Sequence, residues 1–105
     1  MEKTKTKNKV FSVEDLGFDM NRSHPCSVIL HNDNHTPIDF VAIVLYKVFK
    51  KSITDATRIT MQAHTEGQAF IASFDSEEEA QEKLDIVEDM NREYGFHLRI
   101  TIEEN

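Results

Sequence analysis

Three short polar motifs divide most of this chain into segments, and they constrain its fold more than any other feature. Each has the form Ser/Thr-x-x-Asp/Glu, and they occupy residues 36–39, 52–55 and 76–79. In this capping box the hydroxyl accepts a hydrogen bond from a backbone N–H of the first helical turn, so each motif predicts a helix start. Pro37 suits the first helical position, where its missing N–H costs nothing. The three helices are expected to end near Phe49, Gly67 and Gly95.

Apolar segments before, between and after these helices predict three strands. Residues 26–31 and 68–74 are short and mostly apolar, whereas residues 97–102 alternate in the manner of a half-buried strand. The order is β-α-α-β-α-β. It predicts an α+β, two-layer domain in which three helices cover one face of a three-stranded antiparallel sheet.

The N-terminal part of the chain differs from the rest. Residues 1–25 begin with a Lys-rich run and carry scattered apolar residues without a sustained period. We therefore expect a flexible N-terminal extension over residues 1–25 and a folded core over residues 26–105.

Composition restricts the possible functions. The chain has 105 residues and a formal net charge of −7, which disfavours binding to nucleic acid or to an anionic membrane. No apolar run approaches the roughly 20 residues of a membrane-spanning helix. The single cysteine, Cys26, excludes an internal disulfide. A cytoplasmic protein with no nucleic-acid or membrane partner is expected.

The loop between the first strand and the first helix is the candidate binding segment. Residues 31–36 read His-Asn-Asp-Asn-His-Thr, and the apolar residues Ile38 and Val41 follow them. Carboxylate and amide oxygens beside an apolar surface suit a ligand with a positive, hydrogen-bond-donating end and a hydrophobic body. A solvated connector explains the same residues, and it is the simpler interpretation of the loop taken alone.

Two other kinds of site are suggested by residue type but not by spacing. The side chains able to bind a metal are His24, Cys26, His31, His35, His64 and His97. His31 and His35 are four residues apart, but they flank a turn, and no His-x-x-x-His pair is expected on a helix. A metal site needs three or four converging ligands. Cys26 or Ser27 could act as a nucleophile, but no motif places a base beside either. Neither an enzyme nor a cofactor is expected.

A series of motifs resembles one family. Asn32-Asp33-x-x-Thr36-Pro37-x-x-Phe40-Val41 is followed by Ala56-Thr57 and then by Ala63-His64-x-x-Gly67. In order and spacing this series resembles the Clp protease adaptor family, ClpS, over about residues 27–103. The resemblance implies the α+β fold that this family shares with the C-terminal domain of the ribosomal stalk protein.

The resemblance also implies a function. ClpS proteins are N-recognins of the N-degron pathway, which bind the free N-terminus of a protein whose first residue is bulky and hydrophobic. They deliver that substrate to a ClpA- or ClpC-type AAA+ unfoldase for degradation by ClpP. The competing hypothesis is an interaction scaffold that has kept the fold and lost amine recognition.

Residue roles follow from the same resemblance. The α-amino group would be bound by Asn32, Asp33 and His64, whose atoms can accept the three donors of an ammonium. The pocket for the first side chain would be formed by Ile38, Val41, Thr60, Ala63 and Leu98. Support for the loop would come from Asn34, Thr36 and Pro37. The surface facing the unfoldase would include Glu78, Glu79 and Lys83.

The pocket departs from the usual family pattern. Thr60 and Ala63 stand where the family commonly has Met and Val, Ile38 stands where it has Met, and Asn34 replaces an Asp. Shorter walls at two positions predict a pocket that is larger or differently shaped, unless Met61 refills the space.

Overall fold

The computed structural model describes residues 24–105, which form six elements. These are β1 (Cys26–His31), α1 (Ile38–Lys47), α2 (Ile53–Glu66), β2 (Gln68–Phe74), α3 (Glu77–Tyr94) and β3 (Ile100–Glu104). The predicted order of helices and strands is confirmed. The predicted flexible extension lies outside the described residues, apart from His24 and Pro25.

The three strands form one antiparallel sheet in the order β2-β1-β3. Alternate residues of the central strand, Cys26, Val28 and Leu30, are at most 1% exposed and face the core. Residues from all three helices join them in a single hydrophobic cluster. The α+β architecture, with helices packed on a three-stranded antiparallel sheet, is therefore confirmed.

Local sequence determines both ends of α2 and α3, as predicted. The hydroxyls of Ser52 and Ser76 accept a hydrogen bond from the backbone N–H three residues further on, at 3.0 and 3.2 Å. Gly67 and Gly95 end these helices with φ angles of 93° and 75°. A residue without a Cβ adopts this left-handed conformation at little cost.

The capping box predicted at residues 36–39 is wrong. Helix α1 begins at Ile38, its N-cap residue is Pro37, and no side chain caps it. Thr36 lies one residue before the N-cap, and its hydroxyl donates to the carboxylate of Asp33. Helix α1 also ends at Lys47, two residues before the predicted end.

The last strand begins and ends later than the alternation predicted. It covers Ile100–Glu104 and not residues 97–102, and it pairs with β1 from Leu30 opposite Ile100 to Cys26 opposite Glu104. Because β3 pairs with the start of β1, the strand includes two glutamates at its end. A hydrophobic alternation does not predict that these two residues belong to a strand.

Candidate functional site

Strand pairing brings the polar loop to the end of α2. His31, the last residue of β1, lies opposite Gln68, the first residue of β2. One residue further, the Asn32 N–H donates to the Gly67 carbonyl at 2.9 Å, and the Gly67 N–H donates to the Ala63 carbonyl at 2.9 Å. The loop that follows β1 is thereby joined to the last turn of α2, which carries His64.

A small cavity opens at this junction. Its volume is about 30 Å³, which is room for about two water molecules. It is lined by Leu30, His31, Asn32, Asp33, Thr36, Ile38, Val41, Thr60, Ala63, His64 and Leu98. The cavity therefore brings together residues from the loop, two helices and the segment before β3.

Most of the site residues predicted from the sequence line this cavity. They include the three predicted to bind the amine and the five predicted to form the side-chain pocket. Of the three loop-support residues only Thr36 lines it, whereas Asn34 and Pro37 are exposed outside it. Leu30 and His31 also line the cavity. Neither was assigned a role in the site, although His31 is the first residue of the candidate binding segment and Leu30 precedes it. The binding roles of all these residues stay predictions.

Asp33 is held in place by two hydrogen bonds. Its Oδ1 accepts from the backbone N–H of His35 at 2.8 Å, and its Oδ2 accepts from the Thr36 hydroxyl. The Thr36 hydroxyl, and then the His35 N–H, lower the pKa of Asp33 below its ordinary value. The ionised carboxylate keeps lone pairs on both oxygens for a further donor.

The polar end of the cavity is accessible from solvent. Asn32 and His64 are exposed and Asp33 is half-buried. A charged ligand group could therefore contact all three while remaining partly hydrated.

The apolar end is buried. Val41, Ala63 and Leu98 are at most 7% exposed, whereas Ile38 lies at the rim with 47% of its surface exposed. The buried Thr60 hydroxyl donates to the Ala56 carbonyl at 2.7 Å, within its own helix. This hydroxyl is already paired, so an apolar ligand at this wall would leave no polar group without a partner.

Two further side chains clarify the pocket. Met61 is 41% exposed and does not line the cavity, so it does not refill the space beside Thr60. Asn91 of α3 is buried and hydrogen-bonds both backbone groups of Leu98. Sequence reasoning missed Asn91, yet a signal exists: it falls one turn after the buried Val87, on the apolar stripe of α3.

The residues considered as nucleophiles lie at the other end of β1 from the cavity. Cys26 is fully buried, and burial, followed by the Glu77 and Glu79 carboxylates, raises the pKa of its thiol. The Ser27 hydroxyl donates to Asn105 Oδ1 at 2.6 Å. Cys26 therefore serves as a core residue, and the hydroxyl of Ser27 is hydrogen-bonded near the C-terminus.

Residues 24–105 lack two features, a metal-binding cluster and a membrane-spanning helix. No three or more His, Cys, Asp or Glu side chains in this part of the chain are grouped as a metal ion would require. No helix described there is long and apolar enough to cross a membrane.

The residues predicted to face an unfoldase lie in the first two turns of α3. Glu78 and Glu79 are exposed and Lys83 is half-buried. With Glu77 they make this end of the helix strongly acidic, and carboxylates are stabilised at a helix N-terminus by its dipole. That stabilisation explains the glutamates without a partner, and the predicted contact stays a prediction.

Comparison with known proteins gives consistent results. Residues 21–101 match the family model described as "ATP-dependent Clp protease adaptor protein ClpS". A protein of that name from Lawsonia intracellularis is 39% identical over 77 residues, which are 73% of this chain and 70% of the relative. Another from Acetivibrio thermocellus is 33% identical and covers 90% of this chain and 95% of the relative.

A solved structure is similar as well. It is described as "The structure of Agrobacterium tumefaciens ClpS2 bound to L-phenylalaninamide", and it matches with a TM-score of 0.74 at 34% identity. The match covers 80% of this chain and all of that one.

The fold and these relatives define a protease adaptor, a class of protein without a catalytic centre of its own. The chain belongs to the ClpS family of adaptors of the ATP-dependent Clp protease.

Proposed function

We propose that this adaptor is an N-recognin. It binds the free N-terminus of cytoplasmic proteins whose first residue is bulky and hydrophobic, and it delivers them to a ClpA- or ClpC-type AAA+ unfoldase. The observation that supports this most strongly is the cavity in which hydrogen-bond acceptors and a buried apolar wall meet.

The polar end suits a free α-amino group. An ammonium offers three donors, and Asn32, the ionised Asp33 and His64 supply an amide oxygen, a carboxylate and a ring nitrogen to accept them. An acetylated terminus has one N–H and no charge. Each acceptor that such a ligand shields from water and leaves unpaired costs about 1–3 kcal/mol, so the site would select true N-termini.

The apolar end suits a large first side chain. Val41, Ala63 and Leu98 offer carbon surface, and the paired Thr60 hydroxyl adds no unmet polar requirement. The unliganded cavity has room for about two waters, and a bulky first side chain would enlarge it at its rim, where Ile38 is half exposed.

A relative supports the same ligand class. Agrobacterium tumefaciens ClpS2 has been solved with L-phenylalaninamide. This compound carries a free α-amino group and a benzyl side chain, and its amide stands in for the peptide bond to a second residue. These are the chemical features that the two ends of the cavity fit.

Delivery is tested with a purified unfoldase, ClpP and a reporter protein that begins with Phe. Degradation should require this adaptor and should stop when the N-terminus of the reporter is acetylated.

Deleting residues 1–22 should leave peptide binding intact and abolish degradation, because the family uses its N-terminal extension to engage the unfoldase. Substituting Glu78, Glu79 and Lys83 together should weaken complex formation with the unfoldase.

Two results would argue against these roles. Unchanged degradation by the truncated adaptor would remove the role of the extension. Adaptor-independent degradation of the reporter, or equal degradation of its acetylated form, would remove the N-recognin function itself.

A further inference from the structure

Asn91 is a buried polar side chain that hydrogen-bonds twice to the backbone of one residue, Leu98. Its Nδ2 donates to the Leu98 carbonyl at 3.0 Å, and its Oδ1 accepts from the Leu98 N–H at 3.0 Å. Asn91 is 9% exposed and Leu98 is 5% exposed. One amide therefore satisfies both backbone groups of Leu98, away from solvent.

Leu98 needs this support because it lies beyond the end of the sheet ladder. Pairing between β1 and β3 stops at Leu30 opposite Ile100, and the last backbone bond in that direction joins the His31 N–H to the Arg99 carbonyl. The side-chain amide of Asn91 thus takes the place that a neighbouring strand would have. Without it, the backbone at Leu98 is held only through its chain neighbours.

Leu98 also lies between two spaces. It lines the candidate binding cavity, and it also lines a second cavity of about 230 Å³ beside α3, which opens to solvent. The apolar side of the second cavity is formed by Leu84, Val87 and Ile100, and its polar side by Gln81, Asp85, Glu88 and Asn91. A Leu98 released from Asn91 has room to retreat toward α3, and that retreat would deepen the candidate binding cavity.

We propose that Asn91 is a positioning residue that limits the depth of the side-chain pocket by holding Leu98 against it. The inference rests on the proposed N-recognin function and adds a specificity determinant located on α3, outside the pocket. It predicts that the polar end of the site is independent of Asn91, because Asn32, Asp33 and His64 are fastened through β1, β2 and α2.

The test compares Asn91→Ala with the wild type, using labelled peptides that differ only in a first residue of Trp or Leu. Dissociation constants are measured by fluorescence anisotropy. The affinity ratio of Trp over Leu should rise by about tenfold, the scale on which a hydrophobic pocket discriminates among side chains of different size. The ratio of free to acetylated peptide should stay at the wild-type value.

Ala80→Gly is the matched control. Ala80 is fully buried in the first turn of the same helix and does not line either cavity, so this change destabilises α3 without releasing Leu98. It should leave the Trp-to-Leu ratio unchanged. An equal rise in both variants, or no rise in Asn91→Ala, would overturn the inference.

A second variant and a second readout cover the remaining outcomes. If Asn91→Ala does not fold, Asn91→Asp keeps the size and the acceptor for the Leu98 N–H but loses the donor, and it should shift the ratio in the same direction. Hydrogen exchange at the Leu98 amide should be slow in the wild type and faster in either variant. Fast exchange at the Leu98 amide in the wild type would overturn this inference alone, whatever the peptide affinities are. Equal affinity of the wild type for free and acetylated peptides would instead overturn the proposed function.

Discussion

The two ends of the candidate site are constructed in different ways. The polar end consists of accessible side chains on a loop and a helix terminus, and short backbone hydrogen bonds fasten it. The apolar end consists of buried side chains from α1, α2 and the segment before β3. In the proposed function, amine recognition would therefore depend on a few local bonds, whereas the choice of first residue would depend on packing across the domain.

Removing His64 should have the largest effect, because it breaks the polar end alone. His64→Ala leaves one donor of the ammonium without its acceptor, and we expect all free N-terminal peptides to bind about 10- to 100-fold more weakly. Isothermal titration with peptides beginning with Phe and Leu measures both losses, which should be equal. Thr65→Ala, at the exposed neighbouring position, is the control and should bind as the wild type does. A loss confined to one peptide would place His64 in side-chain selection.

Refilling the pocket should have the next largest effect, and only on the choice of first residue. The wild type should prefer aromatic first residues to Leu, with Ile and Val weaker. Thr60→Met combined with Ala63→Val adds bulk to two walls, and since each buried methylene is worth about 0.8 kcal/mol, Trp should lose about tenfold relative to Leu. A competition assay with unlabelled peptides gives this ratio. Leu binding as tightly as Phe to the wild type would contradict the proposed preference.

Thr36→Val should lower the free energy of unfolding, because it removes a hydrogen bond to Asp33 at the polar end, and the loss should depend on pH. The pKa of Asp33 is lowered from 3.8 in the folded protein, first by the Thr36 hydroxyl. The stability that this hydrogen bond contributes is therefore fully present above the unfolded-state pKa of Asp33. It is lost as the pH falls through the lower, folded-state pKa. We expect the variant to unfold about 1 kcal/mol more easily at pH 7 and the difference to shrink in acid.

Urea denaturation at several pH values measures that difference. Thr54→Val, at an exposed position in the first turn of α2, is the matched control and should show no such pH dependence. A difference for Thr36→Val that is constant with pH would mean that the hydroxyl does not act through the Asp33 carboxylate.

The smallest expected effect lies outside both ends of the site. Lys50, in the connection between α1 and α2, has a φ angle of 60°, a left-handed conformation that disfavours residues with a Cβ. Lys50→Gly should raise the free energy of unfolding by about 0.5 kcal/mol, because relief of this strain exceeds the entropy gained by the unfolded chain. Lys51→Gly has no strain to relieve and should lower it. Peptide affinity should not change in either variant. Thermal denaturation should show a higher melting temperature for Lys50→Gly and a lower one for Lys51→Gly.

The parts of the molecule that follow from local chemistry were predictable. Helices α2 and α3 begin after Ser52 and Ser76 and end at Gly67 and Gly95. Each of these residues bonds to a residue three or four positions away, and the sequence shows such spacing directly. The polar loop was equally visible. The start of α1 was not, because the spacing does not show that Thr36 lies one residue before the N-cap, with its hydroxyl bonded to the Asp33 carboxylate.

Features that depend on distant residues were not predictable. The alternation predicts that β3 starts at residue 97 because Leu98 fits it, yet Leu98 is held by Asn91 and not by a strand. The register of β2 is another example. Ile71 has no partner in β1, since Val28 lies opposite Ala72 and Ile29 opposite Phe70, and such a bulge leaves no mark in a hydrophobic pattern.

The most direct measurement of the central claim is the affinity for two peptides that differ only at the N-terminus. Both begin with Phe, and one carries a free amine whereas the other is acetylated. We expect fluorescence anisotropy to show binding of the free peptide and at least about 100-fold weaker binding of the acetylated one, because several acceptors lose their donors at once. Equal affinity for both peptides would contradict amine recognition and would leave a ClpS-fold scaffold that binds by other means.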